Sequence, residues 1–514
     1  MDFKLLLEVA AQLCSLQGLW MMALGVAVGI LGGALPGIST TMTVALLATA
    51  TYSMDPLWAI VFLASAQVGA TYGGSIAATV LNIPGTPASA STAREGYVLT
   101  QKGLANKALG VNVFASFVGN TVGVIALLAI MPVVLKLSMK FGPWELFWFA
   151  MFGIVICTKL SRANFVKGLI AACFGLMAAF VGLDPIGGTM RLTFGIGYLR
   201  NGIPLVPAMI GLYGMSEVFT SLIDYKPDPV KMEKERLFQH KIWWKYKWMS
   251  IRASLLGFII GLVPGIGANI ASWVGYDHAY SGSKYKEEFG NGSIEGLIGS
   301  ESANNGCVPG AYAPLLALGV PGDAVTAVIL GILTIHGVQP GPSFLTNNPQ
   351  YLYYIALAIL FAGVVFLLVG TFVGRGIVKV LTIPLPAIMA GVVVLCAIGG
   401  FSSSNRIPDV YIMFVFGIIG LLMKKTNFPI APMLLGLVVG GELADANFRR
   451  AILAGKGSFL PFISRPVSAI LVACLLFVVL KEFVWPLIRK PQAAKTVTAS
   501  AAAGDAEKTQ NEEK

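Results

Sequence analysis

Long uninterrupted apolar segments recur along almost the whole chain, and they leave it few ways to fold. To within a few residues they run over 14–35, 39–52, 57–81, 110–137, 144–160, 165–182 and 203–223. A second series covers 253–274, 296–336, 351–374, 383–400, 408–423, 428–441 and 465–488. A bilayer core takes roughly 20 helical residues per crossing, and only helices or closed barrels satisfy every backbone group inside it. Composition agrees with this reading: 56% of the residues are apolar and 12% are charged, against about 25% charged in a soluble domain. The apolar content suffices for about ten to thirteen spans and argues against a soluble enzyme.

The remaining composition narrows the function by what it lacks. Lys and Arg number 36 against 25 Asp and Glu, but no RNP, zinc-finger or basic-helix pattern accompanies them. In a polytopic chain such an excess orients the protein rather than binding nucleic acid. The six cysteines stand singly without a CxxC pair and read as small buried apolar residues. His240, His278 and His336 share no HExxH or HxxxH spacing, so no metal site is expected. No cofactor is expected either, Na+ entering only as a candidate coupling ion. The first residues lack the pattern of a cleaved signal and are expected to be retained. Residues 491–514, rich in Ala, Thr, Lys and Glu, read as a disordered polar tail.

Internal repetition divides what lies between. Gly29, Pro36, Gly37 and Ile38 reappear 228 positions later as Gly257, Pro264, Gly265 and Ile266. Gly69, Gly73, Leu81, Pro84 and Gly85 reappear 237 positions later as Gly306, Gly310, Leu318, Pro321 and Gly322. The chain is therefore read as two transmembrane repeats, 1–223 and 253–490, joined by a basic linker, 224–252. The linker carries Lys226, Lys231, Lys234, Arg236, Lys241, Lys245, Lys247 and Arg252, which makes it cytoplasmic.

Arg94, Lys102 and Lys107 follow the second break of the first half and lie an even number of crossings away, hence on the same side. The corresponding segment of the second half, Gly337–Gln350, has no Lys or Arg and should face outward. Lys159–Lys167, Arg375–Lys379 and Lys424–Lys425 are counted as cytoplasmic loops. Arg449, Arg450 and Lys456 fit either a loop or a re-entrant turn, which leaves the side of the C-terminus open. The expected fold is an all-α polytopic membrane protein of about ten to thirteen transmembrane segments, in two inverted-topology repeats with Pro-Gly-broken or re-entrant helices.

The four breaks are where binding chemistry is expected. Pro-Gly stops one helix and lets another start, because Pro lacks an N–H and Gly tolerates unusual backbone angles. A helix that starts at membrane depth offers free N–H groups and a partial positive charge, which suit a carboxylate. Around the first pair of breaks stand Pro36, Gly37, Ser39 and Thr40, then Asn82, Pro84, Gly85 and Thr86. The second pair has Gly265 and Asn269, then Asn304, Asn305, Pro321 and Gly322. Taken singly, each Ser or Thr reads as a cap or a back-bond to its own helix; taken together, the four breaks read as a substrate site.

Glu217, Asp277, Glu301, Asp323 and Glu442 are the acidic residues at apparent membrane depth. Glu301 and Asp323, flanking the richest segment, are the candidates for ion coupling. Asp277 and Glu442 read as loop residues, and His336 as a packed or loop histidine.

Two stretches carry a family resemblance. Tyr72 to Thr86, continuing into Thr92-Ala-Arg-Glu-Gly-Tyr97, resembles the large membrane subunit of the tripartite tricarboxylate transporters. Glu301-Ser-Ala-Asn-Asn-Gly306, Leu318-Gly-Val-Pro-Gly322 and His336-Gly-Val-Gln-Pro-Gly-Pro342 are similar to its second signature, and the similarity extends from about Leu19 to Pro466. Glu95 stands where an aspartate is expected, and Ser300 where a proline is.

The resemblance implies a multi-pass carrier of the bacterial inner membrane, not an enzyme. It would work with a small membrane subunit and a periplasmic solute-binding protein to import carboxylates such as citrate on a Na+ or H+ gradient. A stand-alone carboxylate exporter or channel is the alternative. An integral membrane enzyme would need a convergent acid/base or metal cluster that the sequence does not offer.

Overall fold

The apolar segments become helices, and their ends are marked by residues suited to capping. The computed structural model describes residues 3–35, 38–82, 86–160, 165–184, 187–223, 240–265, 267–380, 385–402 and 405–483. In order the helices are α1 (Phe3–Leu13), α2 (Leu16–Ala34), α3 (Thr40–Ala48), α4 (Pro56–Leu81), α5 (Ala90–Gln101), α6 (Ala105–Ser138), α7 (Pro143–Leu160) and α8 (Phe165–Ala179). A two-stranded hairpin, β1 (Gly182–Leu183) and β2 (Met190–Arg191), precedes α9 (Leu205–Met209), a π turn over Ile210–Met215 and α10 (Ser216–Ile223).

The second half has α11 (His240–Gly261), α12 (Gly267–Gly282), α13 (Ile294–Leu318), α14 (Ala324–Ile335), α15 (Pro342–Asn347), α16 (Gln350–Val380), α17 (Leu385–Ser402) and α18 (Ile407–Lys425). It closes with α19 (Ile430–Val439), a π turn over Gly440–Asp445, α20 (Ala446–Ala454), α21 (Pro461–Ser464) and α22 (Pro466–Phe483). Ser15, Ser39, Asp55 and Ser293 accept backbone N–H bonds at the starts of α2, α3, α4 and α13.

Among the described residues α2, α4, α6, α16 and α18 are each long and apolar enough to cross a bilayer. The pair α19 and α20, bent by 54° at the π turn, makes a sixth if it is one broken span rather than a re-entrant loop. A set of shorter apolar helices, Phe165–Ala179 and Ala324–Ile335 among them, runs 10–17 residues. The ten to thirteen segments read from the sequence therefore divide into full-length crossings and shorter pieces, because breaks and π turns interrupt apolar runs that periodicity alone leaves continuous.

Two helices are wrapped on all sides. Every residue of α4 from Ala59 to Val80 is buried, and so is every residue of α13 from Gly296 to Leu318. These are the helices related by the 237-residue offset. In the first half a Cβ at Gly29 or Gly33 of α2 would collide with the carbonyl oxygen of Ala66 or Ala70, and one at Gly69 or Gly73 of α4 with that of Val26 or Ile30. In the second half Gly257 and Gly261 meet Ala303 and Cys307 in the same way, while Gly306 and Gly310 meet Ser254 and Phe258. Each contact of the first pair maps onto the second by adding 228 on one helix and 237 on the other. Small residues let these backbones touch, and the two helix pairs pack at matched positions.

α4 and α13 also meet each other. Ser75 Oγ donates to Glu301 Oε1 (2.7 Å), and Tyr312 OH donates to Gln67 Oε1 (2.7 Å). The later residue of α4 thus meets the earlier one of α13 and the reverse, so the two equivalent helices cross antiparallel.

A third correspondence joins the ends of the halves. Pro207, Gly211 and Glu217 recur 225 positions on as Pro432, Gly436 and Glu442. Gly211 packs on Met413 and Gly417 of α18, and Gly436 on Ala172 and Leu176 of α8, so each half lends a glycine to a helix of the other.

α8 and α19 run parallel. Lys167 Nζ donates to Thr426 O (2.6 Å) at one end, and a ring of ion pairs closes the other. In that ring Arg191 reaches Asp184 (2.7 Å) and Asp445 (2.9 Å), while Arg449 reaches Asp445 (3.1 Å) and the same Asp184. Arg449 therefore belongs to a helix, α20, at the opposite end from Thr426.

Several loop assignments change with it. Lys159 lies in the last turn of α7, Lys424 and Lys425 end α18, and Arg375 and Lys379 fall within α16. Asp277 is exposed but sits in α12, and Glu442 falls in a π turn; neither is a loop residue, because both apolar helices continue through them. Linker residues 224–239 and the tail lie outside the described residues.

Arg449→Met leaves Asp184, 4% exposed, with half its ring of partners. It should lower the melting temperature of the detergent-solubilised protein by about 1 °C, as expected for about 1 kcal/mol. Arg450→Met should not.

Candidate functional site

The described residues on either side of the second break match between the two halves. α4 ends in Asn82 with φ 56°, and α13 ends in Gly319 with φ 71°, 237 positions later. Both residues are left-handed C-caps, a conformation that Gly and Asn adopt at least cost. After the first break Thr86 Oγ1 accepts from Ser89 N while Ser89 Oγ accepts from Thr86 N. After the second, Asp323 Oδ1 accepts from Thr326 N (2.7 Å) and Thr326 Oγ1 from Asp323 N (2.8 Å). Thr86 and Asp323, and Ser89 and Thr326, are again 237 apart. Reciprocal capping boxes start the helices that follow, so Asp323 is first of all an N-cap, with its carboxylate turned to its own helix.

The first breaks differ in detail. Ser39 Oγ accepts from Met42 N (3.2 Å) and opens α3, with Thr40 buried beside it. In the second half Gly265 (φ 81°) and Gly267 (φ 64°) lead into α12, and Gly265 N donates to Gly322 O (2.8 Å). A Cβ at Gly267 would sit 3.0 Å from Asp323 Cβ, so the starts of α12 and α14 adjoin. The halves then cross: α14 packs on α3, and α12 packs on the 87–89 turn and α5. Pro36, Gly37, Pro84 and Gly85 lie outside the described residues. Pro321 and Gly322 are buried, whereas Asn82 and Asn269 are exposed.

Asn304 and Asn305 lie inside α13, fully buried. Ser300, Asn304 and Ala311 share one helix face (i, i+4, i+11), and Gly322 packs directly on Ala311. Asn304 thus looks toward the break, and neither of its amide atoms has a partner in the protein.

Glu301 and Asn305 occupy the neighbouring face. Glu301 accepts from Ser75 (2.7 Å), Ser116 (2.9 Å) and Thr92, from three different helices of the first half. Thr79 continues this polar seam, accepting from Asn112 Nδ2 (2.8 Å) at its hydroxyl and from Thr100 Oγ1 (2.7 Å) at its carbonyl. Glu217, by contrast, pairs with Lys424, and Glu145 with Arg465 and Ser468. Glu301 has no basic partner among the described residues. His336 ends α14 as its C-cap.

The sequence reading passed over Glu95 as a site residue. Its carboxylate is fully buried and accepts from Tyr276 OH (2.6 Å) and from the backbone N–H groups of Gly290 (2.6 Å), Gly292 (2.9 Å) and Ser293 (2.7 Å). It ties α5 of the first half to the loop entering α13. The only available signal was its place beside Gly96 in the motif itself.

The family comparison covers the matched breaks and most of the polar seam. A family model described as the tripartite tricarboxylate transporter TctA family matches residues 19–435. A protein of Agrobacterium vitis described as an uncharacterized 52.8 kDa protein in the TAR-I ttuC' 3' region is 35% identical over 452 residues, 87% of this chain and 90% of that protein. A second, an uncharacterized protein in the TAR-II ttuC' 3' region of the same organism, is 36% identical over 214 residues, 41% of this chain and 88% of that protein. No solved structure matches the chain. With matched breaks and buried polar helices inside the region that the family model covers, the chain belongs to the tripartite tricarboxylate transporter TctA family, a family of membrane transporter subunits.

Proposed function

We propose that the protein is the large subunit of a secondary carrier that imports di- or tricarboxylates across the bacterial inner membrane. It would receive them from a periplasmic solute-binding protein and work beside a small membrane subunit. The observation that carries this reading is the pair of second breaks, each with a left-handed C-cap and a reciprocal capping box at matched positions of two antiparallel central helices. Broken helices in symmetry-related places are where secondary carriers hold substrate.

In this reading residues 1–223 and 253–490 are inverted repeats, and the Lys-rich ends at Lys159, Lys424 and the linker face the cytoplasm. The carboxylates sit among the break residues Pro36, Gly37, Ser39, Thr40, Asn82, Pro84, Gly85, Thr86, Gly265, Asn269, Asn304, Asn305, Pro321 and Gly322. Hydroxyl, amide and backbone donors there hold an anion without a buried lysine. Movement of one repeat against the other alternates access, and Glu301, a buried carboxylate without a basic partner, couples transport to an ion. Asp323 serves mainly to start α14.

Proteoliposomes containing the protein with its two partners should accumulate a di- or tricarboxylate when an ion gradient is applied; no accumulation of any such acid would sink the proposal. Asn304→Ala should raise the KM for uptake roughly tenfold, the equivalent of about one hydrogen bond. Asn82→Gly keeps the left-handed cap but removes an amide donor from the site, and should raise it as well.

A further inference from the structure

The seam that holds Glu301 contains more oxygen than its hydrogen bonds use. α6 and α13 run parallel: Gly119 lies against Ser302 and Asn305, Gly123 against Pro309, and Ser302 Oγ donates to Ala115 O (3.3 Å). One rung of the seam is Ser116 donating to Glu301 (2.9 Å). The next rung, one turn along both helices, is Asn120 and Asn305. Both are fully buried. Asn305 Nδ2 donates to Glu301 O (3.0 Å), but Asn305 Oδ1 and both amide atoms of Asn120 have no partner in the protein. Buried amide atoms are seldom left so, because each forfeits its hydrogen bonds to water.

We propose that this seam is a Na+ site, formed by the Glu301 carboxylate, the hydroxyls of Ser75, Thr92 and Ser116, and the amide oxygens of Asn120 and Asn305. The ligands are all hard oxygens, as such a cation requires. One carboxylate gives the site a single negative charge, which balances a monovalent ion; Ca2+ and Mg2+ would call for further carboxylates. A proton would need Glu301 alone and would leave Asn305 Oδ1 and the Asn120 amide without a partner. Neutralising a carboxylate that lies within the bilayer also removes the cost of its desolvation. Glu301 and Asn305 come from the second half and the other four from the first, so an ion held here would join the two.

The inference rests on the reading of the chain as an ion-coupled carrier, and it can fail separately from it. Radioactive 22Na+ binding to the purified full-length protein in detergent, without substrate, should be saturable and displaced by Li+ but not by K+. Asn305→Ala and Ser116→Ala should each weaken it at least about tenfold, and Glu301→Gln should abolish it. Size exclusion and melting temperature identify any variant that has not folded, and the two milder substitutions keep the test open if Glu301→Gln is one.

Absence of saturable binding by the natural protein overturns the Na+ site. So does unchanged binding in both Asn305→Ala and Ser116→Ala. In either case carboxylate uptake by the reconstituted carrier on a pH gradient would leave the transport reading standing.

Discussion

Gly33→Val and Gly261→Val should each destroy the folded protein, and by the same amount. The two glycines are 228 residues apart and hold equivalent places, where α2 lies on α4 and α11 on α13. A Cβ at Gly33 would sit within contact distance of the carbonyl oxygen, carbonyl carbon and Cα of Ala70. At Gly261 it would lie 2.5 Å from Cys307 O and 3.0 Å from Ala311 N. The atoms in the way belong to backbone, so no rotamer change relieves the clash and the helices must separate.

Overpacking a close crossing costs about 3 kcal/mol or more. The monodisperse fraction on size exclusion should collapse, or the melting temperature should fall by at least about 3 °C. Gly391→Ala is the control: its Cβ would meet nothing within 4 Å, and helix propensity favours Ala. Tolerance at Gly33 combined with intolerance at Gly261 would show that the two pairs are not equivalent.

Glu95→Ala should free the loop that enters α13. It removes the shared acceptor of four donors, Tyr276 OH and the N–H groups of Gly290, Gly292 and Ser293. A buried donor left unpaired costs about 1–3 kcal/mol. Part of this is recovered, because Gly290 and Gly292 are only partly buried and can turn to water, so a net cost of about 3 kcal/mol is expected. Amide exchange at residues 290, 292 and 293 should then quicken by about two orders of magnitude, with little change in the core of α4. Glu95→Asp keeps the charge on a shorter arm and should fall between the two. Unchanged exchange in Glu95→Ala would mean that the loop is held by something else, such as Lys102 Nζ, which donates to Asn291 O (2.6 Å).

Much of the fold was legible because duplication leaves a record in one dimension. The offsets of 228 and 237, found by matching Gly and Pro, recur in the contacts that the helix pairs make. They also explain why Asn82 and Gly319, and Thr86 and Asp323, answer to one another. The third offset, 225, escaped notice because Pro207, Gly211 and Glu217 are too sparse to stand out without the packing of Gly211 and Gly436 on each other's halves.

The candidate site was legible in its breaks and not in its depth. Asn304 and Asn305 were singled out, but Ser75, Thr92 and Ser116 lie on three helices and carry no pattern that links them to Glu301. Lys424 could not be matched to Glu217, nor Arg449 to Asp184, for the same reason.

The sequence by itself determined that this chain is an all-helical bundle rich in apolar helices, because apolar length is a property of order along the chain, as are the four Pro-Gly pairs and the offsets between them. Only the tertiary structure decided which acidic residues find basic partners. It also placed Asn82 and Asp323 at helix caps and made α4 and α13 cross antiparallel. Those outcomes depend on which side chains from distant segments come within hydrogen-bonding reach, and in a bilayer interior a polar group that finds no partner cannot turn to water instead.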